Sequence, residues 1–157
     1  PRVNYLLADR LVEAGRLGQK SGSGYYRYDA ATRTREEDPI VSEIIEATRS
    51  ELGIKPREIT EEEIVDRLTL ALANEGACIL EEGIAQRASD IDVVYCHGYG
   101  FPRFRGGPMH AAEVRGLQSV VDRIEEFQET LNPDNWVLAP LLAKLAGEGG
   151  NFYDANI

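Results

Sequence analysis

The stretch from Thr60 to Gly83 constrains the fold more than any other part of the chain. Thr60 followed three residues later by Glu63 has capping-box spacing, and Ile64 opens an apolar series directly after it. No proline interrupts the run, and Gly83 supplies a stop, so the spacing predicts a helix over 61–82. At about 100° per residue, Ile64, Leu68, Ala71, Leu72, Cys78 and Ile79 share one stripe, with Glu75 near its centre. An acid on a buried face needs a partner, because an unpaired carboxylate removed from water is costly.

The other periodicities are also helical. Leu6, Leu7, Leu11 and Val12 recur at helical spacing from an uncapped start at Pro1, which suggests the remnant of a truncated unit, and Gly15 can end it. A glycine-rich turn then delivers Tyr25-Tyr26-Arg27-Tyr28 as a short extended segment. Pro39 opens a helix striped by Ile40, Val41, Ile44, Ile45 and Leu52 that runs out at Gly53 and Pro56. Ser89 and Asp92 repeat the capping-box spacing and predict a short helix. Leu117, Val120, Val121, Ile124, Phe127 and Leu131 mark another helix, and Pro140 begins a last one that stops at Gly147. With strand signal nearly absent, the class is all-α. Leu11 to Asp29 and Leu142 to Asp154 share leucine, alanine-glycine, glycines, paired aromatics and an aspartate, as if one unit ending occurred twice. On that reading 1–35 is the tail of a first helical repeat, 36–59 a connecting helix and linker, and 60–157 a second repeat.

Charge and motifs narrow the chemistry. With 27 acidic against 17 basic side chains the net charge is -10, which repels nucleic-acid phosphates and anionic surfaces. No apolar run approaches the roughly 20 residues of a membrane span. Two cysteines without a Cys-x-x-Cys pair suit a reducing cytoplasm. Gly18-Gln19-Lys20-Ser21 lacks Walker spacing, and no G-x-G-x-x-G follows a strand, so a dinucleotide site would need another domain. His97 and His110 have no metal-ligand spacing. His110 and Glu113 stand three apart, as an acid-base pair on one helix face or as ordinary structural residues, and Cys78 reads as a small core residue. No catalytic, cofactor-binding or metal-ligating residue is assigned.

The most unusual segment is Gly98 to Pro108, G-Y-G-F-P-R-F-R-G-G-P. Arg103 and Arg105 with free amides near a helix start could hold an anion such as a coenzyme A phosphate. The favoured reading is structural and covers Gly100, Phe101, Pro102, Arg103, Arg105, Gly106, Gly107 and Pro108. Its glycines permit close backbone approach, its aromatics plug a groove, and its arginines and the Gly106-Gly107 amides satisfy a buried Glu75.

These residues together resemble the C-terminal part of the L-3-hydroxyacyl-CoA dehydrogenase family, especially the duplicated C-terminal domains of multifunctional β-oxidation enzymes. Gly15 to Gly22 through Tyr28-Asp29 is similar to the close of a first repeat. Asp66-Arg67-Leu68, Asn74-Glu75, Leu80-Glu81-Glu82-Gly83, Asp90-Ile91-Asp92 and Gly98 to Met109 are similar to a second repeat, in order. The resemblance implies a helical domain of the 6-phosphogluconate-dehydrogenase-like C-terminal type. It implies a parent that oxidises an acyl-CoA 3-hydroxyl with NAD and is usually fused to an enoyl-CoA hydratase. The family's nucleotide fold, catalytic His-Glu pair and Ser would lie upstream, and its helpful Asn in the first repeat, where this chain's second repeat has Asp66. The implied partners are the upstream dehydrogenase domain, the first repeat, the acyl-CoA and a second copy. The alternative is a free-standing helical interaction or acyl-CoA-binding module. Because Ala155-Asn156-Ile157 is no Ser-Lys-Leu ending, the expected compartment is a bacterial cytoplasm rather than a peroxisome.

Overall fold

The computed structural model describes residues 5–131 and 133–154. The chain divides into two compact units, Pro1–Glu58 and Ile59–Ile157. Among the described residues, seven α-helices and one minimal two-stranded ribbon give the all-α class. None of these helices is long and apolar enough to cross a membrane.

In the first unit α1 (Leu6–Glu13) packs on α2 (Pro39–Glu51), burying Leu11 and Val41. The tyrosine-rich segment forms β1 (Arg27–Tyr28), paired antiparallel with β2 (Arg35–Glu36). Pro39 takes the first helical position of α2, and the Asp38 carboxylate caps it by accepting from the Ile40 N–H at 3.1 Å. Buried Arg16 ties the unit together, its Nε donating to the Gly24 carbonyl at 2.9 Å and its Nη2 to Asp38 at 2.8 Å. Those contacts, led by the Arg16 hydrogen bond, hold the Asp38 carboxyl below the usual carboxylate range.

The second unit comprises α3 (Glu61–Glu81), α4 (Ala88–Gly98), α5 (Pro108–Arg115), α6 (Leu117–Thr130) and α7 (Pro140–Glu148). The Thr60 hydroxyl accepts from the Glu63 N–H at 3.1 Å, so the capping signal marks the true start of α3. The core collects Leu70 and Leu80 of α3, Met109 of α5, Ile124 and Phe127 of α6, and Leu142 of α7. Phe152 seals it, and Trp136 packs its ring 4.7 Å from that of Phe127.

Three expectations need correction. Helix α7 continues through Gly147 to Glu148 and stops at Gly149, whose φ of 65° is left-handed. Helix α4 starts after Arg87 with no side-chain cap, and Asp92 turns into the core instead of serving that start. The buried face of α3 is Asp66, Leu70, Ala73, Gly76, Ala77 and Leu80, whereas Ile64, Leu68 and Glu75 are exposed. The reason is close packing. A Cβ on Gly76 would lie 2.3 Å from the Met109 sulfur, so α5 approaches α3 only along its smallest side chains. A stripe weighted by large aliphatic residues misses that face.

Candidate functional site

Two buried carboxylates organise the second unit, and neither is Glu75. Asp66, on the inner face of α3, receives Arg115 from the end of α5 and Arg123 from α6. Arg115 forks onto both carboxylate oxygens, and the Arg123 Nε donates at 3.0 Å. Hydrogen bonding from Arg115, then from Arg123, outweighs burial and holds the Asp66 carboxyl below its ordinary range. Asp66 is therefore a charge staple across three helices.

Asp92 does for α5 what was expected of Glu75. One of its oxygens accepts the Met109 N–H at 2.8 Å and, more weakly, the His110 N–H at 3.4 Å. The other accepts the Tyr153 hydroxyl. A carboxylate thus sits at the first turn of α5, where unpaired N–H groups and the helix dipole favour negative charge. Gly107 makes this possible, since its φ is 109° and a Cβ there would lie 2.2 Å from the Asp92 oxygen. Burial, then Asp92, pushes the Tyr153 phenol up, which keeps it a proton donor to the carboxylate.

Asn74 and Glu113 are likewise engaged. Asn74 donates to the Val137 carbonyl at 2.8 Å and accepts from the Ala139 N–H at 2.9 Å, fixing the approach to α7. Glu113 accepts the Phe152 N–H, and no His110–Glu113 hydrogen bond forms. Exposed His110 meets the Tyr153 ring edge-on at 6.4 Å. Half-buried Cys78 has its thiol pushed up, first by burial and then by Glu75, and so behaves as a small apolar residue. No group of three or more metal-ligating side chains gathers among the described residues.

The glycine-rich segment lies between two cavities. On one side is a groove of about 720 Å³ flanked by α3 and α5, with Val65, Phe101, Pro102 and Arg105 on its walls. On the other is a pocket of about 460 Å³ lined by Asp92, His97, Arg103, Gly106, His110 and Tyr153. Gly107 and Pro108 are buried, Phe101 and Gly106 are half-buried, and Gly100, Pro102, Arg103 and Arg105 are exposed. Glu75 faces solvent, so neither arginine neutralises it. Phe104 is 86 % exposed and carries the Arg105 guanidinium 5.6 Å from its ring centre. It plugs nothing. Sequence reasoning missed Asp66 and Asp92 as the buried acids. The available signal was that Asp66 stands four residues before Leu70 on the small-residue face.

Fold and site define a helical domain whose buried acids are committed to holding helices together. The chain belongs to the family of the 3-hydroxyacyl-CoA dehydrogenase C-terminal domain, whose model matches residues 64–152. It is 47% identical over 146 residues to a peroxisomal bifunctional enzyme of Danio rerio, covering 91% of this chain and 20% of that protein. It is 34% identical to a peroxisomal fatty acid beta-oxidation multifunctional protein of Arabidopsis thaliana, covering 79% and 18%. The crystal structure of the dehydrogenase part of multifunctional enzyme 1 from C. elegans matches with a TM-score of 0.63 and 25% identity, covering 88% of this chain and 32% of that one. The chain thus spans about a fifth of the length of these curated relatives. The expectation of a bacterial cytoplasm is overturned, because the relatives are peroxisomal. It leaned on Ala155-Asn156-Ile157, which lie outside the described residues.

Proposed function

We propose that this chain works as the C-terminal helical portion of a peroxisomal multifunctional β-oxidation enzyme that oxidises 3-hydroxyacyl-CoA with NAD. Its own role is to support the dehydrogenase cleft. The observation that carries this reading is the family match across residues 64–152 combined with the commitment of Asp66 and Asp92 to helix staples. A hydride transfer needs a nicotinamide site and a free general base. The residues here do not fit the cofactor, since β1 and β2 form only an antiparallel ribbon and offer no strand feeding a glycine-rich turn into a helix. NAD is assigned instead to an upstream dehydrogenase domain. The exposed Ile64, Val65 and Leu68 of α3 offer an apolar face through which the lone chain would self-associate. The loop from Gly100 to Pro108 is a structural element that sets the start of α5.

The chain incubated with acetoacetyl-CoA and NADH should give no absorbance loss above buffer. Mixed with the upstream dehydrogenase portion of its own parent enzyme, it should co-elute and raise turnover. Turnover by the isolated chain that disappears in His110→Ala would overturn the reading, as would a dehydrogenase portion indifferent to this chain.

A further inference from the structure

The second unit has seventeen acidic residues and only seven basic ones, so it carries the whole net charge of the chain. In such a field an unpaired cation is unusual. Arg67, Arg87, Arg115 and Arg123 are each held by a carboxylate of this unit. Arg105 lies over the Phe104 ring, and Lys144 sits on α7. Arg103 makes no ion pair among the described residues, and it lines the 460 Å³ pocket together with His97 and His110.

The pocket is built rather than incidental. Its one acid, Asp92, has both oxygens occupied, one by the first-turn amides of α5 and the other by the Tyr153 hydroxyl. Both carboxylate oxygens are therefore already engaged by donors of the protein itself. His110 is held by contact on two sides. A Cβ on Gly106 would lie 2.4 Å from its ring carbon, so the imidazole packs on bare backbone, and Tyr153 meets it edge-on. His97 comes from the last turn of α4, and Arg103 from the short turn beginning after Pro102. One guanidinium and two imidazoles, each on a separate element, thus converge on one opening.

We propose that this pocket binds a phosphate monoester, with Arg103 as the principal charge partner and His97 and His110 as flanking donors. A guanidinium offers paired N–H groups that match two phosphate oxygens, and imidazoles add directed donors at the side. The site does not depend on the dehydrogenase reading, because it uses only residues of α4, α5 and the loop between them.

The test is titration of the whole chain at constant ionic strength with inorganic phosphate and with adenosine 3′,5′-bisphosphate, followed by calorimetry and by amide shifts of Gly106 and His110. Saturable binding with shifts confined to this pocket is expected. Arg103→Gln should weaken it by about tenfold and His110→Gln by about threefold, the scale of losing a charge-assisted and a lesser hydrogen bond. Lys144→Gln removes a cation that does not line the pocket and should change binding by less than about twofold. Tighter binding of the bisphosphate would assign a nucleotide-borne phosphate, and equal binding would assign the free ion; both support the site. Arg103 is exposed, so its variant should keep the far-ultraviolet spectrum of the parent. The proposal is overturned by absence of saturable binding, by Arg103→Gln binding as the parent does, or by an equal loss in Lys144→Gln.

Discussion

Replacing Asp66 by Asn is the sharpest probe of the second unit. The substitution keeps the side-chain volume but removes the charge that receives Arg115 on both oxygens and Arg123 on one. Breaking a buried ion pair by removing one partner costs roughly 3 to 5 kcal/mol when the other is left dry. Here the Arg115 and Arg123 side chains keep 32% and 24% of their exposure, so water takes up part of the loss, and Arg123 retains Glu126 at 2.6 Å. The expected cost is therefore about 2 to 3 kcal/mol, a drop in urea midpoint of about 1 to 2 M. The pH dependence supplies a second reading. Asp66 is held below its ordinary range, so its contribution is complete above the unfolded value of about 4 and is lost as pH falls through the folded one. The gap between parent and variant should accordingly narrow on acidification. A neutral-pH difference below about 0.5 kcal/mol, or a gap that stays constant into acid, would refute the staple.

Two further outcomes follow from the geometry around Asp92. Gly107→Ala places a Cβ 2.2 Å from the carboxylate oxygen at a φ of 109°, and strain plus displacement of the cap should cost about 3 kcal/mol or more in chemical denaturation; a loss below about 1 kcal/mol would show that α5 shifts freely. Tyr153→Phe removes only the hydroxyl bound to Asp92 and should cost about 1 kcal/mol in the same assay; an unchanged midpoint would mean that water replaces the phenol without penalty.

Much of the fold was legible because its signals are local. Thr60, Pro39 and Pro140 each stand where a helix begins, and Leu117, Val120, Val121, Ile124 and Phe127 are all buried on one face of α6. The site was less legible because it depends on which face of a helix meets its neighbour. On α3 the large aliphatic residues suggested one side, while the packing chose Ala73, Gly76 and Ala77. Glu75 lies nine residues beyond Asp66, which at about 100° each is half a turn away. One misplaced stripe therefore exchanged a buried acid for an exposed one. Asp92 was misassigned for a related reason: its spacing from Ser89 suggested a cap for its own helix, whereas its side chain caps the start of α5 seventeen residues later.

The position of Asp66 links stability to what the second unit can do. By the resemblance, it stands where the first repeat of such an enzyme carries a helpful Asn. An amide can donate to a carbonyl oxygen and accept at the same time, but an ionised carboxylate only accepts. Clamped by two guanidiniums and held below its ordinary range, Asp66 stays ionised at neutral pH and has its acceptor sites turned toward Arg115 and Arg123. It cannot donate to a substrate carbonyl without first taking up a proton, which both arginines oppose. Restoring the amide alone would not recreate such a donor either, because Arg115 and Arg123 would still crowd the position. The contacts that tie α3, α5 and α6 together thus commit the Asp66 carboxylate to accepting from Arg115 and Arg123.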